Sequence, residues 1–99
     1  VLQFSFSLSF TFGVVNGGDK KVVIRAFGKW LREVRKSKKL SQERLGHRIG
    51  LTVSQVGRIE RGKINTSLMM IYNLSIALEV PPHYLLMTDF SDDVAPKQV

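Results

Sequence analysis

Between residues 40 and 65, apolar residues fall at helical spacing on either side of a glycine, a pattern that few folds satisfy. Ser41 is a natural N-cap, its hydroxyl able to accept a backbone N–H, and Leu45 and Ile49 lie four apart on one face behind it. Gly50 follows where a helix stops by turning left-handed, and Leu51 supplies an apolar plug after the turn. Thr52 or Ser54 can cap a second helix whose Val56 and Ile59 face the same core, and Gly62 ends it. Gly46 lies where that helix must cross closely, so a side chain beyond a methyl would push it away. The spacing predicts two short helices joined by a tight turn, with Thr52, Ser54, Gln55 and Arg58 projecting outward from the second. A rigid helix with a polar outer face beside a basic one suits the major groove of DNA.

The charge distribution agrees. The 99 residues carry a net charge of +7, and residues 1–18 contribute none of it. Residues 19–40 hold nine cations against two anions, residues 41–65 five against two, and residues 66–99 one against four. The cationic excess falls on and just before the two-helix unit, as attraction to phosphates would require. A basic surface alone serves solubility equally well, so the helix pattern has to carry the argument. The absence of cysteine excludes disulfides and cysteine-ligated zinc, and fits a reducing cytoplasm.

The same stretch resembles the Cro and phage-repressor (XRE-like) helix-turn-helix family. The family run Leu-Ser-Gln-Glu-x-Leu-Ala, Gly, Ile-x-x-Ile-Glu-x-Gly stands here as Leu40-Ser41-Gln42-Glu43-Arg44-Leu45-Gly46, Gly50, and Val56-Gly57-Arg58-Ile59-Glu60-Arg61-Gly62. The likeness runs from about Phe27 to Leu86 and extends to restriction–modification controller proteins. Two positions depart from it. Gly46 replaces alanine, which weakens the helix by roughly 1 kcal/mol, and Thr66 stands where the family often has proline. The resemblance implies a five-helix lambda-repressor-like domain that binds operator DNA as a homodimer. It also implies an ion pair between Arg35 and Glu60 beneath the recognition helix, and a role for Gln42 in contacting phosphate and buttressing that helix.

By the same match, Val53, Ser54, Gly57 and Arg58 are expected to meet base edges, with Thr52 and Gln55 nearer the backbone. Arg58 suits guanine, because its planar fork matches the O6 and N7 acceptors. Val53 can touch a thymine methyl, and Gly57 is expected to let the helix backbone approach the groove. Arg61, Lys63 and Asn65 suit phosphate contacts that set register. Arg44 and Arg48 read as solvated side chains.

The flanks supply the remaining helices. Residues 26–37 place Phe27, Trp30, Leu31 and Val34 on one stripe, with Trp30 a core aromatic rather than a ligand platform. Ser67 can cap a helix carrying Leu68, Ile71, Leu74, Ser75 and Leu78, and Pro81-Pro82 ends it and starts a short fifth helix. Met69 and Met70 read as core or dimer-surface filler. Residues 89–99 are expected to form a flexible tail, and residues 26–88 the DNA-binding domain.

Residues 1–25 follow a different rule. Leu2, Phe4, Phe6, Leu8, Phe10 and Phe12 alternate strictly with polar residues, which predicts a half-buried strand. Val14 and Val15, a turn at Asn16-Gly17-Gly18-Asp19, and Lys20 to Ile24 then suggest a hairpin. So apolar a strand needs a cover. It is expected to be a dimerisation element; the competing readings are a docking site for a protein such as a toxin, which would make the chain an antitoxin, and a start assigned too early. The stretch lacks the basic flank of a signal peptide and is too short and polar to span a membrane.

Other chemistry is not expected. His47 and His83 are the only histidines and stand far apart without an acidic cluster, so no metal site, cofactor or catalytic triad is expected. The sequons at Asn65 and Asn73 are chance matches in a cytoplasmic protein.

Overall fold

The computed structural model describes residues 17–88 and residue 90. Among these residues four α-helices and a 3-10 helix follow one another: α1 (Gly17–Ser37), α2 (Gln42–Ile49), α3 (Val53–Glu60), α4 (Leu68–Leu78) and the 3-10 helix Pro82–Leu86. No strand occurs among the described residues.

Local chemistry sets most of the boundaries. Ser41 caps α2 by accepting the Arg44 N–H at 3.0 Å. Gly50 ends it at φ +77, with the Leu51 N–H bonded back to the Gly46 carbonyl at 2.8 Å. Ser67 caps α4 through the Met70 N–H at 3.1 Å. That helix stops at Glu79, which holds the left-handed conformation at φ +59 without being a glycine. After Pro81 the chain makes i to i−3 hydrogen bonds at Tyr84 and Met87, so the expected fifth helix is a single tight 3-10 segment.

One core joins all five elements. Leu31 and Val34 of α1, Leu45 of α2, Val56 and Ile59 of α3, Leu74 and Leu78 of α4, and Leu85 form a contiguous buried cluster. Trp30 is half-buried against it, and its Nε1 donates to the Tyr84 carbonyl at 2.7 Å, with the two rings 5.4 Å apart. This bond ties the 3-10 helix to α1.

Four expectations require correction. The hairpin limb at Lys20 to Ile24 is helix, and α1 runs through the boundary placed between residues 25 and 26. Val22, Val23 and Ile24 favour strands, yet Ile24, Phe27, Leu31 and Val34 continue one stripe at helical spacing, and packing overrides the local preference. Leu68, expected on the core stripe of α4, is 79% exposed. The stripe starts at Met70 and Ile71 instead, and Leu68 falls on the opposite side of the helix. Phe90, placed in the tail, packs partly buried against the core. The strand expected at residues 2–12, and the protein partner assigned to it, lie outside the described residues.

Candidate nucleic-acid interface

The first turn of α3 is fixed by a reciprocal cap. Thr52 Oγ1 accepts the Gln55 N–H at 3.1 Å, and Gln55 Oε1 accepts the Thr52 N–H at 2.8 Å. The cap holds the Gln55 oxygen toward the Thr52 backbone and leaves both amide N–H donors free, which suits a phosphate. Ser54 and Arg58, four residues apart and both exposed, form a row opposite buried Val56 and Ile59. Val53 is exposed at the head of the helix.

At the other end, the Arg61 N–H bonds to the Gly57 carbonyl and the Lys63 N–H to the Arg58 carbonyl, each at 2.9 Å. Gly62 between them takes φ +72. The chain therefore leaves α3 in a tight loop with Arg61, Lys63 and Asn65 all exposed. Gly57 does not lie bare toward solvent. It is buried, and a Cβ on it would stand 2.9 Å from Arg61 Nη1 and 3.7 Å from Gln42 Nε2. The Arg61 guanidinium lies against that point of the helix.

Beneath α3, Arg35 and Glu60 come together. Arg35 Nε donates to Glu60 Oε2 at 2.6 Å and Nη2 to Oε1 at 3.1 Å, while Nη1 reaches the Leu40 carbonyl at 2.7 Å. Gln42 Nε2 adds a bond to Glu60 Oε1 at 2.9 Å. Both charges are buried; the guanidinium bonds the carboxylate and the Leu40 carbonyl just before α2, and the carboxylate also accepts from Gln42 of α2. The negative charge on α3 is thereby turned inward, away from the exposed Arg58 and Lys63. Gln42 spends one amide donor on this lock and keeps one for another acceptor.

Two contributors escaped the sequence pattern. A Cβ on Gly28 would lie 2.5 Å from the carbonyl oxygens of both Ile59 and Glu60, so α1 touches the end of α3 backbone to backbone. A glycine inside a helix costs about 1 kcal/mol relative to alanine, and that cost was the available signal. Arg48 is exposed yet anchored: its Nη1 donates to the Ala77 carbonyl at 2.7 Å, at the C-terminal end of α4. At Gly46 even a methyl would overlap the Leu51 carbonyl, a closer approach than the spacing suggested. Among the described residues no three His, Cys, Asp or Glu side chains cluster to hold a metal. No helix among them is long and apolar enough to cross a membrane.

A helix-turn-helix family model matches residues 31–85, and so spans every element from the middle of α1 to the 3-10 helix. An uncharacterized HTH-type transcriptional regulator from Sinorhizobium fredii is 36% identical over 66 residues, which cover 67% of this chain and 46% of that protein. The chain thus matches about half the length of that relative. The crystal structure of the restriction-modification controller protein C.AhdI from Aeromonas hydrophila superposes with a TM-score of 0.61 at 47% identity. It covers 63% of this chain and 94% of its own. A hypothetical transcription factor from Neisseria, NHTF, superposes at 0.62 with 30% identity, covering 77% of this chain and 85% of its own.

Proposed function

Because the chain belongs to the helix-turn-helix family of DNA-binding transcription regulators, we propose that it acts as a homodimer on an inverted-repeat operator. The exposed Ser54–Arg58 row carries this reading: a capped, rigid helix offers donors outward while its one acid is neutralised beneath. Val53, Ser54 and Arg58 read base edges. Gln42, Thr52, Gln55, Arg61, Lys63 and Asn65 hold the backbone on either side, and Gly57 gives Arg61 room to fold across the helix. Phosphate contacts fix register, and base-edge contacts choose the sequence.

The homodimer is supported by a second apolar face. Leu68, Met69, Tyr72 and Ile76 all stand on the outer side of α4, between 49% and 79% exposed. Leu86 and Met87 are exposed as well. A contiguous apolar stripe of this kind on a small domain marks a contact surface, and a two-fold interface uses one such patch twice. Ile76→Glu is expected to convert dimers to monomers in analytical ultracentrifugation while leaving the helical circular dichroism intact. Unchanged dimers would remove α4 from the interface.

Selection of bound sequences from a random duplex pool at near-physiological salt tests the function directly. The expected product is an inverted repeat with half-sites centred one helical turn, roughly 34–36 Å, apart. No enriched sequence would reject operator recognition. Arg58→Ala is expected to cost about 1–3 kcal/mol on the selected site and to relax preference at one base pair. Lys63→Ala is expected to weaken all sequences alike and flatten the salt dependence. Equal losses on specific and random DNA for Arg58→Ala would deny it a base-reading role.

A further inference from the structure

The loop that leaves α3 is in backbone contact with α1. A Cβ on Gly62 would lie 2.8 Å from both Cα and Cγ of Arg25, so Arg25 packs against the loop at Gly62, between Arg61 and Lys63. One turn further along α1, Gly28 meets the last carbonyls of α3. Positions 21, 25, 28, 32 and 35 share that side of α1, and the stripe runs along the C-terminal end of the recognition helix. Lys21 and Arg25 are exposed on it. Neither has a carboxylate partner among the described residues, where the one ion pair is Arg35–Glu60. Both precede residue 31, where the family match begins.

The geometry points to Lys21 and Arg25 as a second phosphate-binding element, which grips the DNA backbone flanking the half-site and continues the cationic row of Arg61 and Lys63. This rests on the DNA-binding reading above. Two long cations spaced one helical turn apart, without a carboxylate partner among the described residues and beside an exposed basic loop, have a phosphate strand as their natural counterion. The stripe adds affinity without adding sequence preference. A purely structural role is the competing account, in which Arg25 serves the negative end of the α3 dipole.

The test uses the full chain, a selected operator duplex with ample flanking sequence, and the double variant Lys21→Gln/Arg25→Gln. Affinity measured across a salt series is expected to show the slope of log K against log salt falling by about 0.9 for each phosphate left without its cation. Phosphate-ethylation interference is expected to lose its signal at flanking positions only. Arg25→Lys, which keeps the charge, is expected to retain both. An unchanged slope with an unchanged interference pattern overturns the proposal, and a lowered melting temperature alongside it assigns Arg25 to the dipole. A wild-type chain that binds no duplex at any salt overturns the DNA reading itself and this proposal with it. That outcome is distinct from wild-type binding that the variant leaves unaltered.

Discussion

Replacing Glu60 with alanine is expected to lower the free energy of unfolding by roughly 3–5 kcal/mol, the cost of leaving a buried partner charge unpaired. The carboxylate accepts from Arg35 Nε, Arg35 Nη2 and Gln42 Nε2. Its removal strands the guanidinium with only the Leu40 carbonyl as acceptor. A small domain has about 5–15 kcal/mol in all, so the variant sits near its threshold for folding. Urea denaturation followed by circular dichroism measures the loss. The double change Arg35→Met/Glu60→Leu is expected to regain much of it, because apolar replacements of a buried pair need no counter-charge. A loss under about 1 kcal/mol for Glu60→Ala alone would mean that water reaches and solvates Arg35, and that α1 is not locked to α3 through this pair.

Leu45→Ala is expected to cost about 2–5 kcal/mol, since truncating a fully buried leucine adds a cavity to the lost transfer energy. Leu45 has no exposed surface and sits in the cluster with Val56 and Ile59, where α2 meets α3. Closure of the cavity is restricted by Gly46, whose neighbouring Leu51 carbonyl already leaves no room for a methyl. The same denaturation series reports the change as a lower midpoint with an unchanged slope, the mark of lost stability alone. Saturating operator duplex is expected to raise the variant's melting temperature, because ligand binding to the native state stabilises it by mass action. A cost below about 1 kcal/mol would show that α2 and α3 close over the gap, and that their crossing angle is not set by this side chain.

The two-helix unit was legible because its signals are local. Ser41, Gly50, Thr52 and Gly62 act within a few residues of themselves, and the backbone carries out what each residue type prefers. The start of α1 was illegible for the opposite reason. Val22, Val23 and Ile24 form a β-branched run that favours a strand locally, yet they lie inside the 21-residue α1, whose later turns carry the core residues Phe27, Leu31 and Val34. Arg48 shows the same limit in polar form, because its acceptor lies 29 residues away on α4. Leu68 and Met69 look like core residues in composition, but helix phase places them outside. The outward placement of Val53, Ser54 and Arg58 on α3 was legible from helix spacing. The approach of the Arg61 guanidinium to Gly57 was not, since residue spacing does not record the course of a long side chain over the helix surface.

The chain has one tryptophan, and the bond from Trp30 to the Tyr84 carbonyl gives it an optical use. Trp30 and Gly28 are two residues apart on α1, so the indole faces away from the end of α3. Its fluorescence therefore follows the docking of the 3-10 helix, with Tyr84 close enough to pass on excitation. DNA arriving at α3 is expected to leave the emission maximum in place, whereas opening of that short helix shifts it to the red. One unlabelled chromophore thus separates occupancy of the reading helix from loosening of the domain behind it.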